Sequence, residues 1–223
     1  MLEPAIADGR GTLIDVSVAV STGTPEWPGD TPYSCGWTCR LSDGASVNLS
    51  AITMSPHVGT HADAPLHVTE SGAGAEALPI EAFVGPCLVV DVGGATGHLE
   101  LEALRAAARA AGASLDGVQR LLLRTGRTVA DGTFPDAWPA LSPTCARALV
   151  AGGLRLLGVD APSVDGRESK TLDVHHELFG GGACNLENLD LRAVAPGAYE
   201  LSAAPVRLVG LDAAPVRALL RVV

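Results

Sequence analysis

Short apolar runs separated by turn residues dominate this chain and set the first expectations about its fold. Runs of strand type cover Thr12–Val20, Val47–Thr53, Cys87–Val92, Arg120–Thr125, Leu154–Asp160 and Val206–Asp212. The central ones, such as Leu88-Val89-Val90, are apolar at every position, which predicts strands covered on both faces. A helical stripe lies over Leu99–Ala111: Leu101, Leu104 and Ala108 share a face, Glu100 and Glu102 open the segment and Gly112 closes it. Two further helices are expected at Pro143–Ala151 and Pro215–Leu220, each opened by a proline suited to a first turn. Strand and helix interleave, so the predicted class is α/β with a mixed β-sheet.

One pattern occurs twice. Arg155-Leu156-Leu157-Gly158-Val159-Asp160-Ala161 is answered by Arg207-Leu208-Val209-Gly210-Leu211-Asp212-Ala213. Seven residues are too few for a repeat; the expectation is two similar buried strands, each ending in an aspartate that caps the following turn.

Composition narrows the class. The 223 residues are 47% hydrophobic and 18% charged, enough to bury a sizeable core and to act as one domain over 1–223. No apolar window of membrane-spanning length occurs, and Met1-Leu2-Glu3-Pro4 carries an early acid and no signal-like region, so a cytoplasmic protein is expected. The net charge of −10 repels phosphate backbones and anionic lipid, which argues against nucleic-acid and membrane partners. The odd number of cysteines, five, fits reduced thiols better than disulfides. Cys35-Gly36-Trp37-Thr38-Cys39 lacks the second pair that would complete a zinc knuckle.

Several catalytic signatures are missing. Val90–Gly97 precedes a helix but lacks the G-x-G-x-x-G spacing, so it reads as a strand-to-helix turn. There is no G-x-S-x-G elbow and no phosphate-binding G-x-x-x-x-G-K-[ST]. His175-His176-Glu177 is not an H-E-x-x-H site, because Gly180 stands where its second histidine would fall.

The chemistry concentrates instead in Ser55–His67, which holds three of the six histidines. Gly59 and Pro65 argue against a helix here. In an extended chain, His57, His61, Asp63 and His67 project to one side and line one wall. Full extension would set His57 and His61 about 13 Å apart, at roughly 3.3 Å per residue, so a bend is required and Gly59 can supply it. Imidazoles and a carboxylate in this register predict a metal site. Further ligands must come from elsewhere. Candidates are Ser169–His176 and Asn185–Asn188, where Glu187 lies in a run that reads as a buried strand and needs a partner or a metal. Of the paired histidines, His176 is expected to support from the periphery or face solvent.

The motif His57-x-Gly59-Thr60-His61-x-Asp63-Ala64-Pro65-x-His67 resembles the signature of the cyclase family. The likeness runs nearly end to end and includes Thr24–Asp30, Leu122–Thr125, Asp160–Ser163, Ser169–His176 and Leu211–Arg217. The Trp-Pro-Gly-Asp and Ser-Lys-Thr-Leu segments point to the formamidase branch of that family. The resemblance implies the swivelling β/β/α fold, a homodimer and a dinuclear zinc hydrolase acting on a small molecule. Manganese is a second metal the donor set would accept. It implies that His57, His61, Asp63 and Glu187 bind one zinc, and that Asp63, His175 and Glu187 bind the other. His67 would then carry protons and Trp27 would contact the substrate. The implied reaction is hydrolysis of N-formyl-L-kynurenine to L-kynurenine and formate. A cyclase-family hydrolase opening a cyclic amide or lactone, or a non-catalytic metal-binding protein of this fold, are the rival expectations. The glycine-rich stretch Phe179–Asn185 departs from the family pattern; if it shapes the pocket, it bears on substrate preference.

Overall fold

The central apolar runs form the middle of a mixed sheet. The structure, a computed structural model, describes residues 11–223; the Met1–Pro4 segment read above lies outside the described residues. In chain order the elements are β1 (Leu13–Asp15), β2 (Ser34–Cys39), β3 (Leu49–Thr53), β4 (His61–Asp63), β5 (Val84–Asp91), β6 (His98–Leu99), α1 (Leu101–Ala110), β7 (Arg120–Arg124), β8 (Ala140–Leu141), α2 (Pro143–Ala151), β9 (Leu156–Val159), α3 (Asp173–Gly180), β10 (Cys184–Leu186), β11 (Gly197–Ser202), β12 (Ala213–Pro215) and β13 (Leu219–Val222). Seven strands pair in the order β1-β13-β11-β5-β7-β9-β10. The pairs from β5 to β10 are parallel, and β11, β13 and β1 extend the sheet antiparallel.

Each central strand feeds two cores, as its unbroken apolar sequence requires. On one face Leu88, Val90, Leu121, Leu123, Leu157 and Val159 pack with Leu104 of α1, Leu149 of α2 and Leu178 of α3. On the other, Val89, Leu122 and Leu156 pack with Phe83, Leu189, Leu201 and Leu220. The period of two thus divides one continuous run between two layers. No helix among the described residues is long and apolar enough to cross a membrane.

The chain departs from its sequence pattern at four places. Val206–Asp212 is a turn-rich loop, not a strand: Leu208 N–H bonds back to the Val206 carbonyl, Gly210 takes φ +76°, and Val209 is 79% exposed. Pro215–Leu220 is not a helix. Pro215 ends β12, and Leu219–Val222 fills the position between β1 and β11, where two ladders of backbone bonds outweigh a short helix. The extended wall from His57 to His67 exists only over His61–Asp63, because Pro65–His67 forms a 3-10 turn with His67 N–H on the Ala64 carbonyl. Conversely, α3 was not foreseen, since it is short and runs into three glycines.

Three two-stranded sheets accompany the large one among the described residues, the smallest being the parallel pair β6 and β8. β4 pairs antiparallel with β12, and on its other side His61 and Glu187 exchange both backbone hydrogen bonds. This polar seam, seated against β10, is where the reactive residues gather. β2 and β3 form a separate hairpin whose residues are almost all exposed.

Candidate metal centre

Gly59 makes the bend the sequence demands. Its φ is +73°, a conformation that disfavours other residues, and a Cβ there would meet Val20 Cγ2 at 2.5 Å. The Gly59 carbonyl accepts from His61 Nδ1 at 2.9 Å, which turns Nε2 inward. Thr60 locks the same turn, its hydroxyl donating to the Asn188 carbonyl at 2.6 Å and accepting Val18 N–H at 2.9 Å. The bend sets His57 Nδ1 3.0 Å and His61 Nε2 3.3 Å from the same oxygen of Asp63. His61 Nε2 is also 3.5 Å from Glu187 across the β4 seam.

The opposite side comes from α3 and β10. Asp165 accepts the Val174 and His175 amides at 3.0 and 3.1 Å, so it serves as the side-chain cap of α3. The same carboxylate takes His175 Nδ1 at 2.7 Å, leaving Nε2 3.2 Å from Asp63 and 3.3 Å from Glu187. A carboxylate fixing the far nitrogen of an imidazole is the usual support of a metal-ligating histidine. Asn185 donates to Asp63 at 2.6 Å and to Glu187 at 3.2 Å and accepts Asp63 N–H, holding the two carboxylates side by side.

All five predicted ligands therefore converge. Burial opposes charge on His57, yet the hydrogen bond to Asp212 and the Asp63 carboxylate beside it push it up to about 9. Burial likewise opposes His61, and the charge of Asp63 carries it to about 10. Asp63 is held well below the carboxylate range against its own burial, first by the charge of His61. Two buried atoms at the heart of the cluster, His61 Nε2 and Asp63 Oδ1, have no hydrogen-bond partner. Ligand atoms of His57, His61 and Asp63 all lie within 4.8 Å of one another. Mixed imidazole and carboxylate donors, charge in excess on the oxygens and unpartnered inward atoms fit a divalent transition metal.

Above the cluster opens a cavity of about 390 Å³ reached by His57, His61, His175 and Glu187. His67 and Trp27 line it. Trp27 is 40% exposed, with edge contacts to Phe134 and Trp138 at centroid distances of 5.4 and 6.1 Å. Asn188, in a left-handed conformation at φ +55°, also borders the cavity, and its Oδ1 is buried without a partner. His176 faces solvent. The glycine-rich stretch does not border the cavity: Gly181 packs against Val150, where a Cβ would meet Cγ1 at 2.1 Å, so its role is to seat α3 on α2.

Four polar residues of the site escaped the sequence reading: Asp165, Asn185, Asn188 and Asp212. Nothing local marks Asp165, which lies well ahead of a short helix the pattern does not predict; Asn185 lies two residues before Glu187 in a candidate segment. Asp212 was visible as the end of the echoed pattern, but it caps no turn. It meets His57 Nε2 at 2.9 Å and His67 Nδ1 at 3.2 Å, and the His57 bond holds its carboxyl far below the usual range.

Fold and centre define a metal-dependent hydrolase. The chain belongs to the cyclase family: the family profile "Putative cyclase" matches residues 14–166. It is 45% identical over 213 residues to the kynurenine formamidase of Salinibacter ruber, covering 94% of this chain and 97% of that one. Against the kynurenine formamidase of Bordetella avium it is 44% identical, with the same coverage. A solved structure from Bacillus stearothermophilus, described as a predicted metal-dependent hydrolase, superposes with a TM-score of 0.76 at 29% identity, covering 94% of this chain and 97% of that one.

Proposed function

We propose that the protein hydrolyses N-formyl-L-kynurenine to L-kynurenine and formate, as one hydrolase domain. The observation that carries this reading is the convergence of His57, His61, Asp63, His175 and Glu187 beneath a cavity walled by Trp27. The two formamidase relatives give the substrate its identity. We assign His57, His61, Asp63 and Glu187 to one zinc ion and Asp63, His175 and Glu187 to a second, with manganese acceptable to the same donors. Bound zinc supplies acidification of water and polarisation of the formyl carbonyl.

The chain's own residues do the rest. Trp27 offers an open face to the anilide ring, its edges already held by Phe134 and Trp138. An aryl amine leaves poorly as an anion and needs a proton as the C–N bond breaks. His67, on the cavity wall but outside the assigned ligands, takes a proton from the attacking water and returns it to that nitrogen. Asn185 donates to both Asp63 and Glu187 and so keeps the two carboxylates side by side, where they would hold the metal.

A homodimer is part of this reading. The β2–β3 hairpin exposes Trp37, Leu49 and Ile52 by 53, 52 and 60%, an apolar surface suited to a second copy. The five free thiols suit a reducing cytoplasm. The test is formate release from N-formylkynurenine by protein with and without chelator, beside a panel of cyclic amides and lactones. Chelator-sensitive formate release is expected. Ring opening without formate release would replace the formamidase reading.

A further inference from the structure

One carboxylate oxygen touches both a metal-centre histidine and the proton carrier. Asp212 Oδ2 stands 2.9 Å from His57 Nε2 and 3.2 Å from His67 Nδ1, with the two rings 4.5 Å apart and tilted by 45°. The backbone sets it there: the Asp212 carbonyl accepts Ala64 N–H at 2.8 Å, directly before β12 pairs with β4. Ala64 also accepts the His67 amide at 2.9 Å and so begins the turn that carries His67. Carboxylate and imidazole are thus fixed through one residue.

An ionised carboxylate can only accept, so each histidine must direct an N–H at it. On His57 the proton then sits on Nε2, and Nδ1 is the nitrogen presented to Asp63. On His67 the proton sits on Nδ1, and Nε2 is left as the nitrogen that exchanges a proton with the substrate. The His67 ring stands beside the centre as well, one of its nitrogens within 4.8 Å of ligand atoms of Asp63 and His175. The Asp212 side chain is 40% exposed, which makes it a poor candidate for holding up the core.

We propose that Asp212 is a positioning residue for formyl hydrolysis, holding His67 in the tautomer and orientation that aim Nε2 at the departing nitrogen while the same oxygen orients His57. The proposal rests on the formamidase reading for its substrate, but its geometry does not.

Asp212→Asn, compared with the wild-type holoenzyme, tests it. Turnover of N-formylkynurenine should fall by roughly 10–100-fold, the usual cost of losing a supporting carboxylate, with KM within about twofold and the metal content unchanged. In a His67→Ala background the same change should cost clearly less than it does in wild type, because the partner through which it reaches the departing nitrogen is gone and only its contact with His57 remains. The downfield imidazole N–H proton resonance assigned to His67 should be present in wild type and lost in Asp212→Asn. That measurement needs no substrate, so it still judges the Asp212–His67 pair if wild-type protein proves not to be a formamidase. Undiminished turnover, additive losses in the double variant, or an unchanged His67 resonance would overturn the proposal. So would loss of metal with activity restored by added zinc, which would limit Asp212 to supporting His57. A third ion per wild-type chain that vanishes in Asp212→Asn would make His57, His67 and Asp212 a metal site and would likewise overturn it.

Discussion

Residues 155–161 and 207–213 read nearly alike, yet their aspartates do different work. In the first, β9 is wholly buried between β7 and β10, and Asp160 reaches across to accept Thr125 N–H at 2.8 Å, the Thr125 hydroxyl at 2.5 Å and Gly126 N–H at 3.0 Å. In the second, the chain is an exposed loop, and Asp212 meets two imidazoles. Burial pushes the Asp160 carboxyl up despite its donors, whereas the His57 hydrogen bond draws Asp212 down. Neither aspartate caps its own turn. The same seven-residue pattern is therefore fold in one place and chemistry in the other, and what decides is the neighbour across the seam.

Four substitutions break or sharpen that contrast, ranked by their effect on turnover. Glu187→Gln, on the chemical side, should bring formate release to background and lower the metal count of protein purified without chelator, because a buried carboxylate charge is lost. Elemental analysis beside a formate assay reads both; full metal with full rate would remove Glu187 from the centre. His67→Ala should keep its metal and its thermal stability and lose roughly 10²–10⁴-fold in turnover, the usual worth of a placed acid–base. That loss should shrink for aryl formates with good phenolate leaving groups, and an equal loss on both substrates would contradict a role in protonation. Trp27→Ala should raise KM by about fivefold at nearly constant kcat, since an aromatic contact is worth about 1 kcal/mol; a fall in kcat alone would place Trp27 outside substrate contact. Asp160→Asn lies on the other side of the contrast. Urea unfolding should show about 1–3 kcal/mol of lost stability, because an amide nitrogen would face the Gly126 donor, while turnover per folded molecule stays the same. A large loss of turnover in folded Asp160→Asn would erase the distinction between the two aspartates.

The sequence made the sheet legible where apolar runs are continuous. Leu88–Val90, Arg120–Arg124 and Leu156–Val159 became the strands they suggested. It misread segments whose state depends on what lies beside them. Leu219–Val222 is a strand because β1 and β11 leave a place for it, and Val206–Asp212 is a loop because, beyond the Val206 N–H bond to the Pro215 carbonyl, no strand pairs with it. The five side chains that converge were legible as candidates from residue type and spacing together with family likeness. Their supports were not, because Asp165, Asn185 and Asp212 act over separations of 10, 122 and 155 residues, where no local pattern exists.

Helix α3 has only eight residues, too few to persist in water without outside help. Its first-turn amides and the far nitrogen of His175 end on the same Asp165 carboxylate. Helix opening and displacement of His175 are consequently one event, and anything that clamps the imidazole slows the opening. Hydrogen–deuterium exchange at the Val174 and His175 amides will therefore report occupancy of the centre, slowing as metal is added, while the β2–β3 hairpin exchanges at an unchanged rate.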